Sequence, residues 1–231
     1  MADEAPTEQG SEADRALYGY PSGGESRWPS FLAVGTALVL QAVLPGRLTV
    51  GPWWLVPALE ALLLIPLMIA NPSELTRQSR DVRLLSIALI ALVNVANVVS
   101  LALLIHVLVN GTKANGKPLI LAAVGIWLTQ VIVFGLWYWE LDRGGPVART
   151  RADHPPPDLM FTQMSNAAVT KEPWVPTMVD YIYVSLTNST AFSPTDTMPL
   201  TVRAKALMGA QSLVSLATIA IVGARAVNIL S

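Results

Sequence analysis

Long apolar runs alternate with short polar stretches along the chain, and their lengths predict its helices. Residues 29–45, 53–70, 84–110, 118–140 and 201–228 are dominated by apolar side chains. Each approaches the ~20 residues that cross a bilayer; the first, from Pro29 to Pro45, is the shortest. Trp53 and Trp54 open the second run and Trp137-Tyr138-Trp139 close the fourth, as aromatic residues do at a membrane interface. Pro57 and Pro66 predict kinks in the second, and Asn110-Gly111 stops the third. Segment 177–190 is half polar and too brief to span. Thr201 can cap the last long helix. The pattern predicts an all-α membrane protein of about five transmembrane helices, with a short re-entrant, pore-like half-helix before the last.

Composition supports the membrane reading. Hydrophobic residues make up 52% of the 231 and charged residues 13%, against about a quarter charged in soluble domains. Mean hydropathy is +0.48. The lipid bilayer is the expected partner, and a net charge of −1 offers no electrostatic basis for binding nucleic acid. There is no cysteine, and histidine occurs only at His106 and His154. That removes disulfides, thiolate chemistry and a histidine-rich metal centre. No nucleophile–base spacing, zinc motif or phosphate-binding glycine loop occurs, so no catalytic residue, metal or cofactor is expected. Residues 1–28 carry Asp3, Glu4, Glu8, Glu12, Asp14 and Glu25 among Pro, Gly and Ser, which predicts a disordered acidic tail. Residues 29–117 form a three-helix membrane bundle in this reading, and 118–231 a separate helix–loop–helix module.

Polar residues inside the runs are the first candidate site. Glu60 and Asn94 lie ten residues from facing helix ends and so share a depth if their helices pair antiparallel. Asn97 is one turn beyond Asn94, Gln130 matches its level on the next helix, and Gln41 lies within a turn of Glu60. Gln41, Glu60, Asn94, Asn97 and Gln130 therefore predict a polar layer near mid-membrane. It serves either as a hydrogen-bond cluster holding the bundle or as the working part of a small transporter or scaffold. A second candidate is the stripe Gly209, Ser212, Ser215 and Thr218 on the last helix, read as pore-facing or as close helix packing. Asp142-Arg143 reads as a local anchor at the interface.

The run Tyr183-Val184-Ser185 through Thr190-Ala191-Phe192-Ser193-Pro194-Thr195-Asp196 to Pro199 resembles the pore region of the tetrameric potassium-channel superfamily. Those proteins read Tyr-Phe-Ser-Phe, then Thr-Thr-Val-Gly-Tyr-Gly-Asp, then Pro. Tyr183, Ser185, Thr190, Asp196 and Pro199 match without a gap, and Lys205 falls where the family usually has arginine. The resemblance implies a pore module over roughly 118–230 and, if channel-like, a homo-oligomer, a tetramer. Ser193-Pro194-Thr195 stands where the family has Gly-Tyr-Gly, so the selectivity filter is degenerate. A potassium filter is a column of backbone carbonyls; Pro194 is held near φ −65° and restrains Ser193. No potassium selectivity is expected. A plug or scaffold and a pore of altered lining both remain open. Ser193 is expected to cap a helical turn there. Asp196 is expected to brace the loop 191–200, so that Asp196→Ala lowers stability while Asp158→Ala, in the proline-rich connection, does not. The runs from Trp137 to Pro146 and from Phe192 to Leu200 also resemble an uncharacterised family of bacterial integral membrane proteins, which implies a multi-pass inner-membrane location.

Charge sets the expected orientation. With five spans and the amino terminus inside, Arg15, Arg27, Arg77, Arg80, Arg83, Arg143, Arg149, Arg151, Lys171, Arg203 and Lys205 fall inside. Only Arg47, Lys113, Lys117 and Arg225 fall outside. The positive-inside rule then puts the pore-like loop on the cytoplasmic side, opposite to potassium channels. If 29–45 does not span, the loop moves outside.

Overall fold

The computed structural model describes residues 28–49, 52, 54–70, 80–110, 116–150, 155–165, 174–193 and 196–230. The acidic tail over 1–27 and the loop residues Pro194 and Thr195 lie outside these. The described chain is mostly helical: α1 Trp28–Ala42, α2 Leu55–Ala70, α3 Arg80–Val109, α4 Gly116–Leu141, a four-residue α5 Thr162–Ser165, α6 Met178–Ala191 and α7 Val202–Leu230. Two two-residue strands, β1 Leu159–Met160 and β2 Met198–Pro199, pair antiparallel. Among the described residues three helices are long and apolar enough to cross a membrane, within Arg80–Val109, Pro118–Gly144 and Val202–Gly223. α1 and α2 are apolar but have 15 and 16 residues. α3 begins at Arg80, ahead of the apolar run, because a charged first turn is compatible with helix once it lies at the bundle end.

The bundle has two ends and α4 runs through its middle, packed against α1, α3, α6 and α7. At one end, after Leu141, a cluster gathers Ala33, Val34, Leu89, Tyr138, Leu159 and Tyr181. At the other, Leu44 and Leu48 pack with Leu101, Leu104, Leu119 and Ile126. α1 thus descends from the first end to the second and α2 returns, its Leu67 rejoining the first cluster. α4 and α6 approach closely at Gly135, where an added Cβ would lie 3.1 Å from the Ile182 Cα. On α7 the buried positions are Ala204, Met208, Gln211, Ser215 and Thr218. This is a seam of alternating steps of four and three residues, as helix geometry requires for one face. The opposite face of α7 is bare, with Leu213 70% exposed.

The described part of the proline-rich connection after α4 holds short turns and a strand. Arg143, Gly144 and Gly145 all have positive φ, at 53°, 80° and 101°. An added Cβ on Gly145 would come within 2.9 Å of the Glu140 carbonyl, so glycine is required there. The turn folds the connection back beneath the helix ends, where β1 pairs with β2 immediately before α7.

Candidate functional site

α6 begins with Asp180 accepting from the Thr177 backbone N–H and hydroxyl, both at 2.7 Å, which satisfies a donor that a helix start leaves open. Near its start the Tyr181 hydroxyl donates to Asp142 at 2.7 Å. One turn on, Ser185 Oγ donates to the Val131 carbonyl of α4 at 2.6 Å. α6 therefore runs antiparallel to α4, away from the Asp142 end. It closes at Phe192 in the left-handed conformation, φ 55°, and by β2 the chain is back beside Leu159 at the end it left.

The side chain that joins α4, α6 and α7 is Gln211, which the sequence reading did not single out. Its amide N donates to the Ser185 carbonyl at 2.9 Å, to Ser185 Oγ at 2.6 Å and to Ser189 Oγ at 2.7 Å. Its amide oxygen accepts from Asn188 Nδ2 at 2.9 Å and from the Tyr138 hydroxyl. Asn188 also donates to the Met208 carbonyl and accepts from Ser212 Oγ. Gln130 donates to the Gln211 carbonyl and to Ser215 Oγ, at 3.2 and 3.1 Å. The polar face of α6 is thus matched, group for group, by α4 and α7. Of the stripe read as pore-facing, Ser212 bonds α6, Ser215 bonds α4, and Thr218 is buried and donates to its own helix at Val214. Gly209 alone faces out, with nothing within 4 Å of its Cβ position. Ser212, Ser215 and Thr218 thus make hydrogen bonds within the bundle.

In the filter-like loop, Thr190, Ala191, Phe192 and Ser193 are exposed. Thr190 turns its hydroxyl back to Leu186 and Thr187. Ser193 does the same to Ala191 at 3.4 Å; the helical turn expected from Ser193 falls on Pro194 and Thr195, outside the described residues. Asp196 is exposed, and its carbonyl accepts from Thr162 Oγ1 at 2.8 Å. Thr201 does cap α7, accepting from the Ala204 N–H at 3.3 Å.

The predicted polar layer is divided. Gln41 donates to the Val93 carbonyl and Asn97 to the Ile126 carbonyl, each at 3.2 Å. Gln130 belongs to the Gln211 network, one turn from that Asn97 contact. Asn94 is partly exposed. Glu60 is fully buried and neither carboxylate oxygen has a hydrogen bond, so no bond joins Glu60 to Asn94.

A buried ionic cluster at the Asp142 end is the other feature that sequence reading missed. Asp142, Arg143, Arg149 and Asp158 are each at most 3% exposed, so Asp142 and Arg143 are enclosed by the protein rather than open at its surface. Asp142 Oδ1 accepts from the Asp158 and Leu159 N–H groups at 2.8 and 3.3 Å. Asp158 accepts from the Arg143 N–H at 3.1 Å and from Thr201 Oγ1 and Arg203 Nε at 2.6 Å. Arg149 donates to the Trp139 carbonyl at 2.6 Å, and its guanidinium lies 5.4 and 5.2 Å from the Trp139 and Tyr181 rings. Arg83 approaches the buried Glu140 at 3.5 Å. Burial pushes the Asp158 carboxyl up, but the Arg203 and Thr201 hydrogen bonds and the Arg203 charge outweigh it and hold it below its usual range. The cavity bounded by Tyr138, Asp142, Asp158 and Arg203 measures about 10 Å³, at most one water. The cluster clamps the starts of α6 and α7 to the end of α4.

Among the described residues no three His, Cys, Asp or Glu side chains gather as a metal site. No family model, curated protein or solved structure matches the chain.

Proposed function

We propose that the chain is a five-span inner-membrane protein whose α4–α6–α7 unit is a channel-like pore module with a rewritten filter, working as a homo-oligomer. The observation that carries this reading is the path of α6. Its 14 residues reach about 21 Å, start beside Asp142, and are followed by a return to the same end, as a re-entrant half-helix requires. α1 and α2 supply the remaining two spans; they cover the depth of Leu89 to Leu104 on α3 and fall short of a ~30 Å core, which local thinning accommodates. The loop at Thr190–Ser193 is exposed in one protomer although it sits at the deep end of α6, and the outer α7 face is apolar. Both features suit assembly around an axis. Arg83, Arg143, Arg149 and Arg203 gather at the Asp142 end, which supports a cytoplasmic placement of the loop.

The expected activity is either passage of something other than potassium or a closed scaffold. Pro194 supports this, because its fixed φ is unlike the glycine-rich carbonyl column of a potassium filter. Cross-linking in native membranes and in mild detergent should give a discrete oligomer, with a tetramer expected; a monomer in both overturns the proposal. Purified protein in liposomes should pass no potassium in preference to sodium, and a clear potassium preference refutes the filter argument.

A further inference from the structure

We propose that Glu60 is an intramembrane site for a small monovalent cation, a proton or a sodium ion, one helical turn from a cavity between α1, α2 and α3. This stands apart from the pore-module reading, since α2 is not in that unit.

Three observations carry it. The first is that Glu60 lies at the centre of the inward seam of α2, fully buried, with both carboxylate oxygens unbonded. A buried acid with no donor from the protein is left at a large energetic cost unless something not supplied by the protein compensates it. Second, a cavity of about 210 Å³ lies between these helices, lined by Pro52, Val56, Pro57, Leu92 and other apolar side chains together with Gln41, Thr49 and Ser100; Glu60 is not in its wall. Val56 and Pro57 are four and three residues before Glu60, so Glu60 lies on the same α2 face, one turn deeper. Pro52, at the opposite end of the cavity, is exposed. Third, α3 carries a second unmatched acceptor. Asn97 Oδ1, at the depth of Gln41 and its Val93 partner, is also buried and unbonded, and it too is an acceptor. Surplus oxygen acceptors select a hard cation, and a single carboxylate suits a monovalent charge, since divalent sites gather more carboxylates.

No other ionisable group competes at this level. α1 contains none and α2 only Glu60; those of α3 are Arg80, Asp81 and Arg83 at one end and His106 near the other.

The test uses the full chain in detergent micelles treated with dicyclohexylcarbodiimide, which modifies a protonated carboxyl in an apolar setting, read by peptide mass spectrometry. Glu60 should be labelled, with labelling falling as the pH rises. If sodium chloride suppresses labelling and choline or potassium chloride does not, the ion is sodium; if salt has no effect, it is the proton. Glu60→Gln should remove the adduct and leave the melting temperature unchanged. No adduct at Glu60 at any pH in folded protein, or labelling that ignores both pH and sodium, overturns the proposal.

Discussion

Replacing Asp158 with alanine should destabilise the protein more than replacing Asp196, the reverse of what the composition of the two segments suggests. The Asp158 side chain ties three things together: the Arg143 N–H in the turn after α4, the Thr201 hydroxyl that caps α7 and the Arg203 guanidinium. The Arg143 N–H is buried and loses its acceptor, which costs about 1–3 kcal/mol, and the Thr201 bond contributes about 1 kcal/mol. Arg203 adds little, because its side chain is 53% exposed and can turn to water. The sum is about 3 kcal/mol, or a fall of roughly 6–12 °C in melting temperature for a chain of this size. Tryptophan fluorescence during heating in detergent measures it, with Asp158→Asn losing less because an acceptor oxygen remains. At Asp196 the side chain is exposed, so its contacts compete with water, and the bond from Thr162 is to the backbone carbonyl, which alanine keeps. Equal losses for the two alanine variants, or a larger loss at Asp196, would refute the anchoring role given to the ionic cluster.

Acid should weaken the same contact. The Asp158 carboxyl is held below its unfolded value near pH 4, so its stabilisation is complete above about pH 4 and is lost as pH falls through the folded value. Melting temperature should decline on that side in the wild type and decline less in Asp158→Asn. Gln211→Leu removes the shared partner of Tyr138, Asn188, Ser185 and Ser189 and should cost about 1–3 kcal/mol in the same assay; a neutral result would mean that α6 is held by packing alone. Gly135→Leu forces α6 off α4, because even a Cβ meets the Ile182 backbone at 3.1 Å; a loss of about 1–3 kcal/mol is expected, and unchanged melting would show that the two helices part easily.

The long helices were legible because an apolar run of sufficient length has few other outcomes, and α6 because 14 residues with a polar face cannot span. The Thr201 cap was legible from residue type and position. Asp142, Arg143, Arg149, Asp158 and Arg203 were not, since their burial depends on each finding the others after the chain has turned back on itself. The turn itself left a trace in Gly144-Gly145, and the alternating acids and bases beside the aromatic run were a second. Gln211 escaped because the sequence stripe was drawn with a constant step of three, whereas the buried seam steps four, three, four, three through Ala204, Met208, Gln211, Ser215 and Thr218. Glu60 and Asn94 were matched by depth alone; depth does not specify which way a side chain points around its helix.

The matched polar face of α6 has a consequence for how the protein is made. Ser185 is satisfied by α4, but Asn188 and Ser189 find their partners on α7, which leaves the ribosome later. Until then, lipid offers those groups no hydrogen bonds. The half-helix should therefore wait at the membrane surface while the chain is still growing, and a nascent chain halted at Leu200 should leave Ser185, Asn188 and Ser189 open to a water-soluble label that the finished protein excludes. Synthesis order and final depth are then opposed in this segment: the earlier-made piece enters only when the later one draws it in.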